Sequence, residues 1–250
     1  MARLTALLDS DTPIFSAAVS SDTEWKAKSR LDTMIERIIV DSGCDDYILY
    51  VSGDTNFRKT IDPLYKANRP PDDPEFRKLC RQHLIDNWNT VVANDCEADD
   101  LVGVNQTEDT IICGIDKDLL MIAGRHYQWP IVRSGKVLRP KTFYTIDINT
   151  GMKEFFVQAL TGDKSDNIMY RLDPVSNTWK KKKWALGAKA AERYLEDIET
   201  EADLYNAVRT YYLDNCTEDD IEAELKKNLD LLWIWRNLGE TYSIRQEVRG

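Results

Sequence analysis

Nine carboxylates in this sequence stand where they could act together on phosphorus. Asp9, Asp54, Glu97, Asp99, Asp100, Asp116, Asp118, Asp163 and Asp166 fall in short clusters, most of which follow an apolar run or precede a helical one. In IICGIDKDLL, Ile111, Ile112 and Ile115 carry a strand to its end. Asp116 and Asp118 then sit two apart, so in extended chain their carboxylates share a face. In a parallel sheet all strand C-termini lie on one edge, and acids at several of those ends would converge. Convergent carboxylates repel one another unless cations hold them, and hard oxygen ligands select Mg2+ or Mn2+. The expectation is a site for two such ions. A site of that kind suits in-line displacement at phosphorus, where charge develops on both the attacking and the leaving oxygen. Any one of these acids alone would read as a solvated surface or cap residue; the set is what carries the chemistry.

The elements that must position them are legible. Apolar strand candidates fall near 4–9, 47–51, 90–93 and 110–113. Between them Leu31, Ile35, Ile38 and Ile39 keep helical spacing after a capping-box pattern at Ser21 and Glu24, and Phe76, Leu79, Cys80, His83 and Leu84 keep it again. Such alternation predicts an α/β domain with a mostly parallel central sheet flanked by helices, over residues 1–150. After about residue 152 the pattern is helical almost throughout. Thr200 and Thr217 begin stretches that read as helix starts, Leu225, Leu229, Leu232, Trp233 and Trp235 continue the second, and Gly239 reads as its stop. Residues 151–250 are thus expected to form a helical C-terminal region. One helix face cannot bury both Trp233 and Trp235. Lys180-Lys181-Lys182-Lys183 lies in a stretch rich in Pro, Ser and Asn and reads as a loop.

The bulk numbers narrow the class. A chain of 250 residues with 42% hydrophobic residues is expected to be a soluble globular protein with a sizeable core. No apolar run reaches the roughly 18 residues a bilayer span needs, so no membrane role is expected. The N-terminal run is too short, and too soon followed by acids, for a secretory signal. Five cysteines without a CxxC pair point to reduced thiols in a cytoplasmic compartment, and two histidines make a His/Cys zinc site improbable. The net charge of −10 argues against a nucleic-acid partner only until the nine clustered acids are set apart, since they account for nearly all of it.

Bases are concentrated elsewhere. GDTNFRKTIDPLYKANRPPDDPEFRKLCRQH follows the second strand and carries Arg58, Lys59, Lys66, Arg69, Arg77, Lys78 and Arg81, with Phe57 and Tyr65 interleaved. This mix suits a single strand or a duplex end: phosphate neutralisation beside a stacking face. Taken alone it could equally be a basic surface loop, but its position after Asp54 would hang it over the acidic edge.

YKANR at 65–69, EADD at 97–100, DKD at 116–118 and GDKSDN at 162–167 occur in the order found in the 5′-nucleases, the flap-endonuclease and 5′-3′ exonuclease family. The compact length, and DPLYKANR after a GDTNFRK turn, look most like the phage replication exonucleases. The resemblance runs from about residue 4 to about 198. It implies a helical arch near 55–90 over the site and a helix-hairpin-helix-like duplex-binding element near 162–198. It implies that Asp9, Asp54, Glu97 and Asp99 form or support a first metal site with Asp100 beside it. Asp116, Asp118 and Asp163 would form a second, with Asp166 as an outer ligand. Lys66 and Arg69 match the family's arch bases, which meet the scissile phosphate, and Tyr65 would stack on the terminal base; Arg58 and Lys59 would add substrate contacts.

WALGAKAAERYL at 184–195 resembles the second half of the duplex-binding element, with Gly187 allowing close backbone approach and Lys189 in the first helical turn. The family often holds K+ there. Here the first glycine of that hairpin is missing, the stretch after Asn167 is longer, and Lys180 and Lys181 offer an alternative grip, which leaves the K+ site open. The activity implied is metal-dependent 5′-3′ hydrolysis of DNA, and of RNA in RNA–DNA hybrids, with flap cleavage as a further mode. Rival readings are three. Asp9-Ser10-Asp11-Thr12 fits the haloacid-dehalogenase-type phosphatases, with Asp9 as nucleophile. A catalytically silent nuclease-fold DNA-binding protein would keep the fold without the metals. A small PIN-type RNase would be shorter and lack the helical C-terminal part.

Overall fold

The alternating first half folds as a six-stranded sheet in the order β3-β2-β1-β4-β5-β8. Its strands are β1 (Thr5–Asp9), β2 (Asp46–Ser52), β3 (Thr90–Ala93), β4 (Thr110–Cys113), β5 (Gly124–Gln128) and β8 (Thr142–Ile146); a small hairpin of β6 (Ile131–Arg133) and β7 (Lys136–Arg139) lies apart from it. All neighbours in the sheet run parallel except β5 and β8. This computed structural model describes residues 3–70, 73–133 and 135–244. Residues 71 and 72 of the expected arch, and 245–250 of the expected C-terminal region, lie outside them.

The chain divides into two compact units. One holds residues 1–56, 71–147 and 234–238, and the other 57–70, 148–233 and 239–250. The expected arch is therefore shared out, 57–70 going to the second unit and the rest to the first.

In the first unit, β1 shows why the sheet buries both faces. Ala6 and Leu8 point one way and Leu7 the other, and all three are buried, as interior parallel strands require. Ala6 and Leu8 join a core that includes Ile14 of α1 (Asp11–Val19), Leu31 and Ile35 of α2 (Glu24–Ser42), and Cys80 and Leu84 of α4 (Arg77–Asn87). On the opposite face α5 (Ala98–Asn105) packs on β1 and β2. Helix α2 starts two residues later than the Ser21 pattern suggests. Thr23 is the cap, its hydroxyl accepting from Lys26 N at 3.3 Å, and Gly43 closes the helix with φ 70°. The chain leaves β1 to build β2 and β3 on one side, then returns to build β4 on the other. The strand order thus reverses beside β1, and the crevice beyond the strand ends there is where open parallel sheets receive ligands.

The second unit is mainly helical: α3 (Arg58–Ile61), α6 (Ile148–Thr161), α7 (Ala188–Tyr194), α8 (Glu201–Asn215) and α9 (Ile221–Leu232). Helix α8 starts at the Thr200 cap, whose hydroxyl accepts from Asp203 N at 3.1 Å. Helix α9 begins at Ile221, four residues past Thr217, because Asp220 caps it and accepts from Ala223 N at 3.0 Å. It ends at Leu232 rather than at Gly239. Trp233 and Trp235 are both buried because the helix has already ended: the chain is extended at Trp233, so the two are not on a helix face at all. Trp233 packs edge-on against Phe155 of α6 and against Tyr242.

The region after residue 152 also departs from its helical expectation. A two-stranded antiparallel hairpin, β9 (Tyr170–Asp173) with β10 (Thr178–Lys181), occupies the stretch after GDKSDN. Part of the lysine run is strand, not loop. Among the described residues no helix is long and apolar enough to cross a membrane, and all five cysteines are free thiols.

Candidate active site

Asp9 ends β1 beside the point where strand order reverses, and its neighbours fix its orientation. Its Oδ1 accepts from Asp11 N at 3.0 Å, while Asp11 Oδ1 accepts from Ser52 N at 3.2 Å at the end of β2. Ser10 N donates to Tyr50 O at 2.9 Å. Asp11, outside the expected ligand set, therefore ties two strand ends together. After β4, Asp116 Oδ1 accepts from Asp118 N at 3.1 Å, and Lys117 Nζ lies 2.7 Å from Asp118 Oδ1. Asp54 follows β2 and is exposed.

Glu97 and Asp100 form a reciprocal cap on α5, in which each side chain accepts from the other's backbone N–H. Asp100 is fully buried, and its second oxygen accepts from Trp235 N at 3.2 Å. Both of its oxygens are thus engaged in holding α5 and the 234–238 segment. Asp100, expected beside the first metal site, is the residue that fixes the start of α5 next to Glu97. Glu97 and Asp99, on either side of Ala98 at the helix start, remain half-buried.

The electrostatics of this unit converge on Asp9. Burial holds its carboxyl well above the usual range, and the negative charges of Asp11, Asp116 and Glu97 push it further in the same direction. Among the described residues no group of three or more His, Cys, Asp or Glu side chains is gathered into a ready cage for a metal ion. The groups that bear on Asp9 are carboxylates whose mutual repulsion a hard cation would relieve.

A raised carboxyl makes a definite stability prediction. The folded protein binds this proton more tightly than the unfolded chain. Asp9 therefore costs nothing at pH below the unfolded value of 3.8, and its penalty grows as pH rises through the higher folded value. At neutral pH without divalent ions, Asp9→Asn keeps the acceptor for Asp11 N and removes the charge. It is expected to raise the melting temperature, and that gain should vanish at acid pH. An unchanged or lower melting temperature at neutral pH would show that Asp9 carries no such penalty.

The second unit gathers the other motif residues. In GDKSDN the chain turns back on itself: Asp163 N and Ile168 N donate to Ile168 O and Asp163 O at 3.0 and 2.8 Å. Gly162 (φ 65°) opens this turn, where a Cβ would run into Ile168 O. Asp163 is buried, and its Oδ1 accepts from Ser165 Oγ at 2.5 Å and Asp166 N at 3.0 Å.

YKANR locks onto this turn. Lys66 N donates to Asp166 O at 2.9 Å. Tyr65 OH donates to Asp166 Oδ2 at 2.7 Å, Arg69 donates to Asp166 Oδ1 at 2.8 Å, and Lys66 Nζ lies 3.7 Å from the same oxygen. Both Asp166 oxygens thus meet the YKANR segment, which makes the carboxylate a counter-ion of the basic pair. Tyr65 is buried, with Lys66 Nζ 5.0 Å from its ring centre. Its ring supports the lysine and is not presented for base stacking. Asn167 Nδ2 donates to Leu64 O at 2.8 Å, and Asn68 Nδ2 to Lys164 O. Those two asparagines lie inside the quoted motifs, but as neutral residues they gave no charge signal.

Arg58 also has a different place from that expected. It is buried, with Nε donating to Leu231 O at 2.8 Å and a terminal nitrogen to Trp233 O at 2.7 Å, so it anchors the end of α9 instead of meeting substrate. Lys59 is exposed. Gly187 and Lys189 are exposed at the start of α7, which has only 7 residues. Lys180 is exposed, whereas Lys181 Nζ donates to Leu186 O.

No protein-family model matches the chain. Solved structures do match its fold. The bacteriophage T5 5′-exonuclease with bound zinc ions superposes with a TM-score of 0.61 at 14% identity, covering 92% of this chain and 89% of that one. The T5 D15 protein co-crystallised with metal ions gives 0.59 at 14%, covering 89% and 88%. A T5 D15 flap endonuclease complex with DNA and metal ions gives 0.54 at 12%, covering 92% and 99%. The chain has the mixed α/β fold of these structures.

Proposed function

We propose that this chain is a divalent-metal-dependent 5′-nuclease that hydrolyses phosphodiester bonds of DNA from a 5′ end, in the manner of the phage replication exonucleases. The observation that carries the reading is the charge convergence on Asp9 at the switch point of a sheet shared with the T5 5′-exonuclease and flap endonuclease. The T5 structures that contain metal ions or DNA support both as partners here.

Asp9, Glu97 and Asp99, with Asp54 as support, would hold one Mg2+ or Mn2+, and Asp116, Asp118 and Asp163 a second. The chemistry such ions supply is activation of water and neutralisation of charge building on phosphorus. The chain's own contribution is orientation. Asp11 fixes the rim on which Asp9 sits, and the Asp116–Asp118 turn presents two carboxylates after β4. Lys66 and Arg69 would bind the scissile phosphate and offset its developing charge. The product carries a 5′-phosphate. RNA in RNA–DNA hybrids and 5′ flaps are the further substrates this reading includes.

The test uses duplex DNA labelled at its 5′ ends, with Mg2+ or with a chelator, beside a generic phosphate monoester. Short labelled products that need the metal, with an inert ester, are expected. An active ester and untouched DNA would make Asp9 a nucleophile and replace this reading with the phosphatase one. Inactivity on both would leave a silent DNA-binding fold.

A further inference from the structure

The sheet of the first unit ends at β8 on an unguarded edge. Among the described residues β8 pairs with β5 alone and stands last in the strand order. Its sequence, TFYTI, holds no charge, proline or glycine, and Thr142, Phe143 and Thr145 are exposed. Sheets usually guard such an edge with lysine, proline or a bulge, because its unpaired N–H and C=O groups accept any further strand. Here the charges stand outside the strand, Lys141 just before it and Asp147 just after it, both exposed. Their spacing picks out a partner. When β8 is laid antiparallel on a second β8 with Tyr144 facing Tyr144, Lys141 faces Asp147 at both ends, Thr142 faces Ile146 and Phe143 faces Thr145. Opposite charges bracket the neutral strand, and each meets its complement. Lys141 Nζ lies 3.4 Å from Asp41 Oδ1 within its own chain, a surface pair worth too little to hold the lysine there. The other edge strand, β3, gives no such match: Asn89 precedes it and Asn94 follows it, so its self-pairing sets asparagine against asparagine.

We propose that β8 is the contact through which two copies of this chain join, antiparallel and about a two-fold axis at Tyr144, so that one sheet runs through both. Such a contact is self-complementary and closes at two copies. The two Phe143 rings become diagonal neighbours across the axis, a separation that aromatic side chains span. Each Phe143 already leans on Tyr127 with ring centres 4.7 Å apart, and each Tyr144 stacks on His126 at 5.2 Å. Pairing therefore costs these rings little further ordering. Exposed Val132, Val137 and Leu138 lie on the β6–β7 hairpin that leads into β8 and add apolar surface at its Lys141 end. A pair of five-residue strands is a small interface, so the dimer is expected to be a weak one that forms at micromolar concentration. None of the residues assigned to metal or DNA lies in β8, so this contact is independent of the nuclease reading.

Sedimentation velocity of the full chain over a concentration series, with amide hydrogen exchange at its two ends, tests this. A monomer–dimer equilibrium is expected, with the added protection at high concentration confined to the amides of β8. Lys141→Glu and Asp147→Lys each set like charges face to face at both ends of the strand pair. Each variant alone should weaken the dimer about tenfold, because the change occurs twice across the axis. An equal mixture of the two variants restores opposite charges at both ends, so the mixed dimer should form nearly as well as the native one. Damage to the fold of either variant would not be repaired by mixing. A chain that stays monomeric at the highest concentration would overturn the proposal, as would a dimer whose newly protected amides lie outside β8. A mixture no better than its components would overturn it too, and so would open-ended assemblies larger than a dimer.

Discussion

Asp116→Asn is expected to abolish metal-dependent cleavage while leaving duplex binding in place. The amide keeps an oxygen for Asp118 N, so the turn after β4 keeps its 3.1 Å bond and its shape. What is lost is one negative charge among those that bear on Asp9. An ion held by fewer charges binds more weakly. The expected loss of turnover is about 10³-fold or more, since a bound ion supplies several kcal/mol to the transition state and each 1.36 kcal/mol is tenfold. Single-turnover hydrolysis of the labelled duplex, with binding measured in parallel, checks both halves. Because a neighbouring negative charge is gone, Asp9 should also titrate nearer its ordinary value. Full activity in the variant would take Asp116 out of the site.

Lys66→Ala should lower kcat by about 10² to 10³-fold, the range seen when one group that stabilises developing charge is removed. Its placement gives that expectation content. Lys66 has a left-handed backbone (φ 60°), a main-chain bond to Asp166 O, and its ammonium near Asp166 Oδ1 and the Tyr65 ring. The Asp166 carboxylate, accepting from Tyr65 and Arg69 as well, fixes where the basic pair can point. Asp166→Asn should therefore lower turnover through Lys66 and Arg69, and the double variant with Lys66→Ala should be little worse than Lys66→Ala alone. The alternative, in which Asp166 ligates an ion, predicts recovery on raising Mg2+. A counter-ion role predicts none. An undiminished rate for Lys66→Ala would remove it from the chemistry altogether.

The strands that deliver the acids were legible because their apolar runs are continuous and end abruptly in Asp or in a turn; β1 to β4 lie close to where those runs do. The helix starts were less so. Ser21 and Glu24 satisfy the capping-box pattern, whereas Thr23, with Lys26 three residues on, does not, yet it is the Thr23 hydroxyl that caps the helix. The β9–β10 hairpin was hidden because a strand pair with a solvated face and a run of lysines has no apolar periodicity to detect.

At the site, charge identified residues but not their partners. Asp100 and Glu97 look alike in EADD, yet the first is consumed by Trp235 N, more than a hundred residues away in sequence. Arg58 and Lys59 look alike in FRK, yet the first is buried on carbonyls of Leu231 and Trp233. Contacts at such separation leave no local trace in either stretch.

The interleaving of the two units constrains the order in which the protein can be finished as it is made. Each takes a piece from a distant part of the chain: 57–70 belongs with 148–233, and 234–238 belongs with the sheet. On a ribosome, the strands β1 to β5 emerge early, but the hydrogen bond from Trp235 N to Asp100 forms only once Trp235 has been synthesised. Arg58 likewise waits for the carbonyls after Leu231. A cut at residue 147 separates 57–70 from 148–233 and 234–238 from the sheet, so neither fragment holds a whole unit. The last stretch of synthesis therefore completes both units at nearly the same time.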